Sequence, residues 1–198
     1  MDTSITIRPS FGRILTILVA LISAAALGSL FFAGGADALR VAAFPLLLAY
    51  AAWLTLWQPH VRIAHDGVTL RNVFTSVRVP WAAIQRIDTQ WALTLFTADG
   101  KHVAWAAPAP GRHAASRFGP NDVRNLPASA YEGSTVRPGD LPRSDSGDAA
   151  TIIRTRWEAL QHSGGSATDS THVETRVHAA DVAVLAALVG FAVLSVAL

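Results

Sequence analysis

Three uncharged apolar runs constrain this chain more than any other feature. Ile14 to Phe32, "ILTILVALISAAALGSLFF", is 19 residues long; Val41 to Trp57, "VAAFPLLLAYAAWLTLW", and Val182 to Leu198, "VAVLAALVGFAVLSVAL", are 17 residues each. As helices they would rise about 28, 26 and 26 Å, against a hydrocarbon core of about 30 Å. Tyr50, Trp53 and Trp57 cluster toward the end of the second run, where an aromatic belt belongs. Pro45 falls in its first turn, where a missing N–H costs least. The runs are therefore expected to be transmembrane helices, the first two forming a hairpin through the short loop Ala33–Arg40. The alternative for each is a buried helix of a soluble protein. For the first run alone there is another. "ADA" at Ala36–Ala38 is similar to a signal-peptidase site, with Arg8 and Arg13 as a positive n-region. Against that, the run exceeds the usual h-region of about 7–15 residues, and a second run follows almost at once.

Charge is distributed to match. Only 15% of the 198 residues are charged, against about a quarter in ordinary soluble domains. The first 60 residues hold only Asp2, Arg8, Arg13, Asp37 and Arg40, and the last 17 hold none. Arg8 and Arg13 precede the first run, Arg62 and Arg71 follow the second, and Arg176 precedes the third, with only Arg40 in the hairpin loop. The positive-inside rule then places the N-terminus and the polar region in the cytoplasm of a multi-pass plasma-membrane protein, and the C-terminus outside. The net charge of +2 and the lack of a basic run with interleaved aromatics argue against a nucleic-acid partner. No cysteine is present, so disulfides and thiol chemistry are excluded.

The polar region changes to a period of two at His60. "VRIAHDGVTLRN" sets Val61 and Ile63 against Val68 and Leu70 across Asp66-Gly67, a strong hairpin signal. "VRVPWAAIQRID" ends a strand at Pro80, which cannot donate to a ladder, and turns at Trp81. Ile84 and Ile87 then fall at unequal parity, which predicts a bulge or a change of direction. "ALTLF" and "HVAW" form a further hairpin turning at Asp99-Gly100. Six short strands over 60–107 predict an antiparallel meander curled into a small barrel or half-barrel. Within it Trp81 is expected to be architectural, packed across the barrel mouth.

Residues 108–147 carry six prolines and no apolar periodicity, and read as a linker. Helical spacing returns over 148–162, where Asp148 can cap and Ile153, Trp157 and Leu160 share one face. So short a helix is marginal alone, so this stripe should dock. Docked on the open side of the meander it is structure; undocked, it is a recognition element. A polar linker over 163–181 then leads to the last run at 182–198, completing a scheme in which 1–59 is the two-span hairpin.

The order of a two-span hairpin, "VRIAHDGVTLRN", "VRVPWAAIQRID" and "LTLFTADGKHVA" resembles the bacterial pleckstrin-homology (PH)-like domains of actinobacterial membrane proteins, of the low-molecular-weight-antigen type. Asp66, Gly67, Pro80, Trp81, Asp99 and Gly100 carry the resemblance. "IIRTRWEAL" and the terminal span are similar to the segments after this domain in longer members. The resemblance implies a PH-like barrel and a membrane location, and no activity.

Catalytic constellations are not evident. The seven histidines form no H-E-x-x-H pattern, and neither a phosphate loop nor G-x-S-x-G occurs. His172 and Glu174 could ligate a metal on paper, but a solvated pre-membrane segment explains them. Asp66, Asp88 and Asp99 lie in or beside turns. No catalytic, cofactor or metal residues are expected, and no cofactor. The first hairpin connection is only "HDG", too short and too acidic for a multi-charge phosphate cradle. Arg62, Arg71, Arg78 and Arg86 are candidate lipid-headgroup contacts, each gaining about 1 kcal/mol near anionic lipid, if they are not simply a solvated strand face. The expectation is a non-enzymatic membrane protein presenting a PH-like module to membrane lipids or to a membrane or cytoplasmic protein partner. The alternatives are a structural subunit held by its spans, or an envelope-processing enzyme for which His102 or Asp88 would be essential.

Overall fold

The computed structural model describes residues 4–34, 36–110, 131–132, 135–136, 138–142, 144–162 and 170–197. Two compact units emerge: Met1–Arg8 with His60–Arg176, and Pro9–Pro59 with Val177–Leu198.

The helical unit holds α1 (Ser10–Ala33), α2 (Ala36–Val41), α3 (Ala43–Ala52) with a π-helical continuation (Trp53–Trp57), and a C-terminal helix (Ala179–Ala197). Two of these helices, Ser10–Phe32 and Ala179–Ala197, are long and apolar enough to cross a membrane. The second apolar run differs from expectation. The predicted loop is helical from Ala36, and the hydrogen-bond ladder is interrupted at Ala42, whose backbone stays helical (φ −60°, ψ −23°), ahead of the apolar helix Ala43–Trp57. Pro45 is the cause. It offers no N–H to the carbonyl of Val41, and its ring presses on that carbonyl. The bonds on either side persist, Ala42 N–H to Ala38 O at 3.0 Å and Leu46 N–H to Ala42 O at 3.4 Å. At the other end Gln58 N–H reaches back five residues to Trp53 O at 3.1 Å, which widens the last turn.

Helices α1 and α3 approach closely. A Cβ on Gly12 would lie 2.7 Å from the carbonyl oxygen of Leu56. Thr16 lies buried in the seam, its hydroxyl donating to Gly12 O at 2.8 Å. The pattern is inside-out relative to a water-soluble bundle. Ser23 is 2% exposed while Phe11 is 74% exposed, and Ile14, Leu21, Ile22, Phe31 and Phe32 also face outward.

In the strand unit, β1 (Ile5–Ile7), β2 (His60–Ile63), β3 (Gly67–Arg71), β4 (Thr75–Pro80) and β10 (Glu174–Val177) form one sheet in the order β1-β2-β3-β4-β10. Strands β5 (Arg86–Asp88), β6 (Ala92–Thr97) and β7 (Gly100–Pro108) form a second. The predicted meander of six strands is present and antiparallel throughout. Two strands go beyond it. Residues 5–7, assigned to the membrane hairpin, pair with β2, and residues 174–177, assigned to a polar linker, join as the opposite edge. The parity change at Ile84 is a change of sheet: Pro80 ends β4, a 3-10 turn (Trp81–Ala83) follows, and the chain enters β5 in the second sheet with Ile84 and Ile87 both buried.

Inward residues of both sheets (Val61, Ile63, Val68, Leu70, Val79, Leu93, Leu95, Ala104 and Ala106) meet in one core. The third wall is α4 (Asp145–His162), which begins three residues earlier than its spacing suggested. Ala149, Ala150 and Ile153 are fully buried, and Trp157 and Leu160 pack against the cluster. Part of the expected linker is also ordered. Strands β8 (Tyr131–Glu132) and β9 (Thr135–Val136) pair, and the 3-10 turn Pro138–Asp140 runs into buried Leu141. Residues 111–130, 133–134, 137 and 143 of the linker lie outside the described residues.

Candidate functional site

The outer face of the first sheet carries three of the four candidate arginines. Arg62 pairs with Thr69 and Thr69 with Arg78, so Arg62 and Arg78 share one row two strands apart, about 9–10 Å. Arg71 sits one outward position along β3, paired with His60 and Ser76. A single stripe of four does not form. Arg86 lies on β5 in the other sheet, its guanidinium 4.0 Å from the Phe96 ring centroid. The change of sheet between Pro80 and Arg86 is what separates Arg86 from the other three.

Arg78 is also engaged. Its Nη2 donates to Oδ2 of Asp66 across the β2–β3 connection. Burial pushes the Asp66 carboxyl up, but the Arg78 hydrogen bond, a backbone hydrogen bond and the charges of Arg78 and His65 together outweigh it and hold the group below the usual carboxylate range. Asp66 is thus a staple for the turn. Gly67 opens β3 opposite Pro80, where a Cβ would come 2.4 Å from the carbonyl oxygen of Val79. The second hairpin is one residue out of its expected place. Thr97 pairs with Gly100, so Ala98 and Asp99 form the loop and Gly100, at φ 134°, begins β7.

Trp81 is 3% exposed, and its indole N–H is shared between the carbonyls of Ala64 and His65 at 3.1 Å each. The Pro-Trp corner therefore closes the barrel and fastens the β2–β3 connection. The polar residues considered for chemistry have local roles. Asp88 Oδ1 accepts from the N–H groups of Thr89 (2.7 Å) and Gln90 (3.1 Å), an Asx turn. His102 Nε2 lies 3.1 Å from the Thr97 hydroxyl across the β6–β7 hairpin. His172 and Glu174 are exposed.

Two features escaped the sequence. Arg154 and Asp140, each 1% exposed, form a buried ion pair, Nη1 of the arginine donating to Oδ1 of the aspartate. Arg154 Nη2 also reaches Ile87 O at 3.4 Å, so the pair locks α4 and the Pro138–Asp140 turn to β5. Nothing in the helical periodicity marks an arginine for burial beside Ile153. The second feature is Asn72. Its side chain donates to Val103 O at 2.9 Å and accepts from Trp105 N–H at 2.8 Å, standing in for a strand partner on the edge of β7.

Residues 58–125 match the family model described as "Bacterial PH domain". The chain carries a bacterial PH domain. No curated protein and no solved structure matches the chain. The match begins at the end of the π-helical turn and covers the whole six-strand meander of the PH domain. Strands β1 and β10 and the helix α4 lie outside the match, yet they complete the same sheet and the same core.

Proposed function

We propose that this is a non-enzymatic integral membrane protein whose apolar helices hold a PH domain at the membrane as an interaction module for lipid or protein. The observation that carries the reading is the inside-out helical unit. A surface of Phe11, Ile14, Leu21, Ile22, Phe31 and Phe32 around a buried Ser23 and Thr16 far exceeds the apolar patch a soluble protein tolerates, and it matches a hydrocarbon surround. In this reading α1, the broken second helix and the C-terminal helix are the spans. The arginines at 8, 13, 62, 71 and 176 keep the PH domain on the cytoplasmic side of the plasma membrane.

Alkaline carbonate extraction and reporter fusions test both parts. The protein should stay with the membrane pellet, and an alkaline phosphatase fused after Gly111 should be inactive while one fused after Leu198 is active. Release by carbonate would overturn the membrane reading, and an active Gly111 fusion would overturn the orientation. A second reading, a structural subunit of a membrane complex, draws on Gly28 and Gly190. A Cβ at either would meet nothing within 4 Å, leaving small-residue helix faces open to another helix. Purification in mild detergent as a monomer without a partner would count against it.

A further inference from the structure

The turn between β3 and β4 is built from the wrong residues for water. Asn72 N–H donates to Thr75 O at 2.7 Å, leaving Val73 and Phe74 as the two residues at the tip. Gly, Asn, Asp, Ser and Pro ordinarily fill such positions. Here an aromatic does, and Phe74 is 38% exposed. The Asn72 side chain ties this tip to β7 at Val103 and Trp105. On β7, Ala104 and Ala106 point into the core, so Val103 and Trp105 point out, Trp105 at 62% exposure. Phe74, Val103 and Trp105 are thus exposed apolar side chains flanking the Asn72 tie, with Lys101 next outward along the strand.

The place of these residues in the chain selects their occupant. Ile7 pairs with Val61 and His60 with Arg71, so the tip lies at the sheet end where β1 leaves and β2 enters. Phe74 is about 7 Å beyond the His60–Arg71 rung by strand rise. His60 follows Trp57 by three residues, which span at most about 11 Å. At the start of α1 the guanidinium of Arg13 lies 5.7 Å from the Trp57 ring centroid, a cation and an indole of the kind that mark headgroup depth. The tip therefore belongs to the sheet end from which the chain runs, within a few residues, to Trp57 on one side and to Ser10 on the other.

We infer that Phe74, Val103 and Trp105 insert into the lipid headgroup region and fix the tilt of the PH domain on the membrane. This rests on the membrane reading above, and it places lipid contact on the β3–β4 tip and β7, not on the arginine row of the first sheet. Amphipathic indole and a lone Phe at a turn tip suit the interface, and Arg8 and Lys101 favour its anionic lipids.

The chain has no cysteine, so single labelling sites can be introduced directly. Full-length Phe74→Cys, Val103→Cys, Ala82→Cys and Leu21→Cys variants, each carrying an environment-sensitive fluorophore, would be reconstituted into vesicles of phosphatidylcholine and phosphatidylglycerol. Ala82 is exposed beside Pro80, at the opposite end of the first sheet. Probes at 74 and 103 should be blue-shifted relative to 82 and quenched by lipid bearing a shallow nitroxide, while the probe at 82 is not. Emission and quenching at both sites matching those at 82 would place these residues in water and overturn the inference. A blue shift without quenching would mean a protein surface covers them, a second copy of the chain, and would overturn the inference equally. The probe at 21 separates the two readings. Unquenched by a deep nitroxide, it removes the membrane reading itself; quenched, it leaves any failure at 74 and 103 to this inference alone.

Discussion

Replacing Trp81 by alanine tests whether the Pro-Trp corner holds the PH domain together. The indole is almost wholly buried in the cluster with Val79, Ala83 and Ile84. Truncating a buried Trp costs about 3–5 kcal/mol from lost contacts and the cavity left behind. Its N–H contributes roughly 0.5–1.5 kcal/mol more, toward the low end because the Ala64 and His65 carbonyls lie in a turn that water can reach. The sum is about 4 kcal/mol. At about 4–8 °C per kcal/mol for a domain of 60–100 residues, the unfolding midpoint should fall by roughly 15–30 °C. Trp81→Phe keeps most of the packing and loses the donor, so it should cost about 1–2 kcal/mol. Pulse proteolysis of the full chain across a urea series, in lipid nanodiscs, reads the folded fraction of the PH domain. A Trp81→Ala midpoint equivalent to within about 0.5 kcal/mol of the parent would refute the architectural assignment. A phenylalanine variant as unstable as the alanine one would move the effect from packing to the hydrogen bond.

The same assay reads further substitutions. Asp140→Asn leaves the Arg154 guanidinium buried without a counter-charge and should cost about 3–5 kcal/mol, whereas Asp140→Leu with Arg154→Met should recover most of that loss. Gly67→Ala drives a Cβ against the Val79 carbonyl, backbone against backbone in a formed ladder, and should cost about 1–3 kcal/mol. The Asp66 carboxyl is held below its ordinary value, so its pairing with Arg78 stabilises the fold above the unfolded value of about 3.9 and is lost as pH falls through the lower folded value. Asp66→Asn should therefore flatten the stability profile below about pH 4. Asp145 has the opposite sign. Burial first and the neighbouring Asp148 second raise its carboxyl, so protonating it as pH falls favours the fold, and Asp145→Asn should remove that gain.

Most of the PH domain was legible because its signals are local. Alternation placed Val61, Ile63, Val68, Leu70, Val77 and Val79 on the inner face, and helical spacing placed Ile153, Trp157 and Leu160 on one side of α4. The illegible parts are non-local. Ile5–Ile7 is three residues long, and Glu174–Val177 is exposed along its length, so neither alternates enough to announce a strand. Each becomes one only by meeting a partner distant in the chain. Arg154 falls between apolar positions on a helix and reads as a solvated charge, because its partner Asp140 sits in a proline-rich stretch with no periodicity. Pro45 was expected in a first turn, where a missing N–H costs least; helix already runs over Ala36–Val41, so its missing N–H falls inside the ladder instead.

Docking of α4 narrows what the PH domain can offer a partner. Had the Ile153–Trp157–Leu160 face been free, the inner side of the two sheets would have been an open apolar groove for a helix or strand. Instead Ile153 fills it, and the Arg154–Asp140 pair ties the helix to β5, so the groove is core. The edges are guarded as well. Both ends of the five-stranded sheet are very short strands, and β10 carries Glu174 and Arg176, the kind of charged edge that discourages strand addition. The outer edge of β7 is capped by Asn72. Insertion into this groove, and strand addition at these edges, are therefore disfavoured. Outward side chains of the first sheet are polar, among them Arg62, Thr69, Arg71, His60, Ser76 and Arg78, the last paired with Asp66. Phe74, Val103 and Trp105 are outward side chains with unspent apolar surface, as is Trp91 at the start of β6.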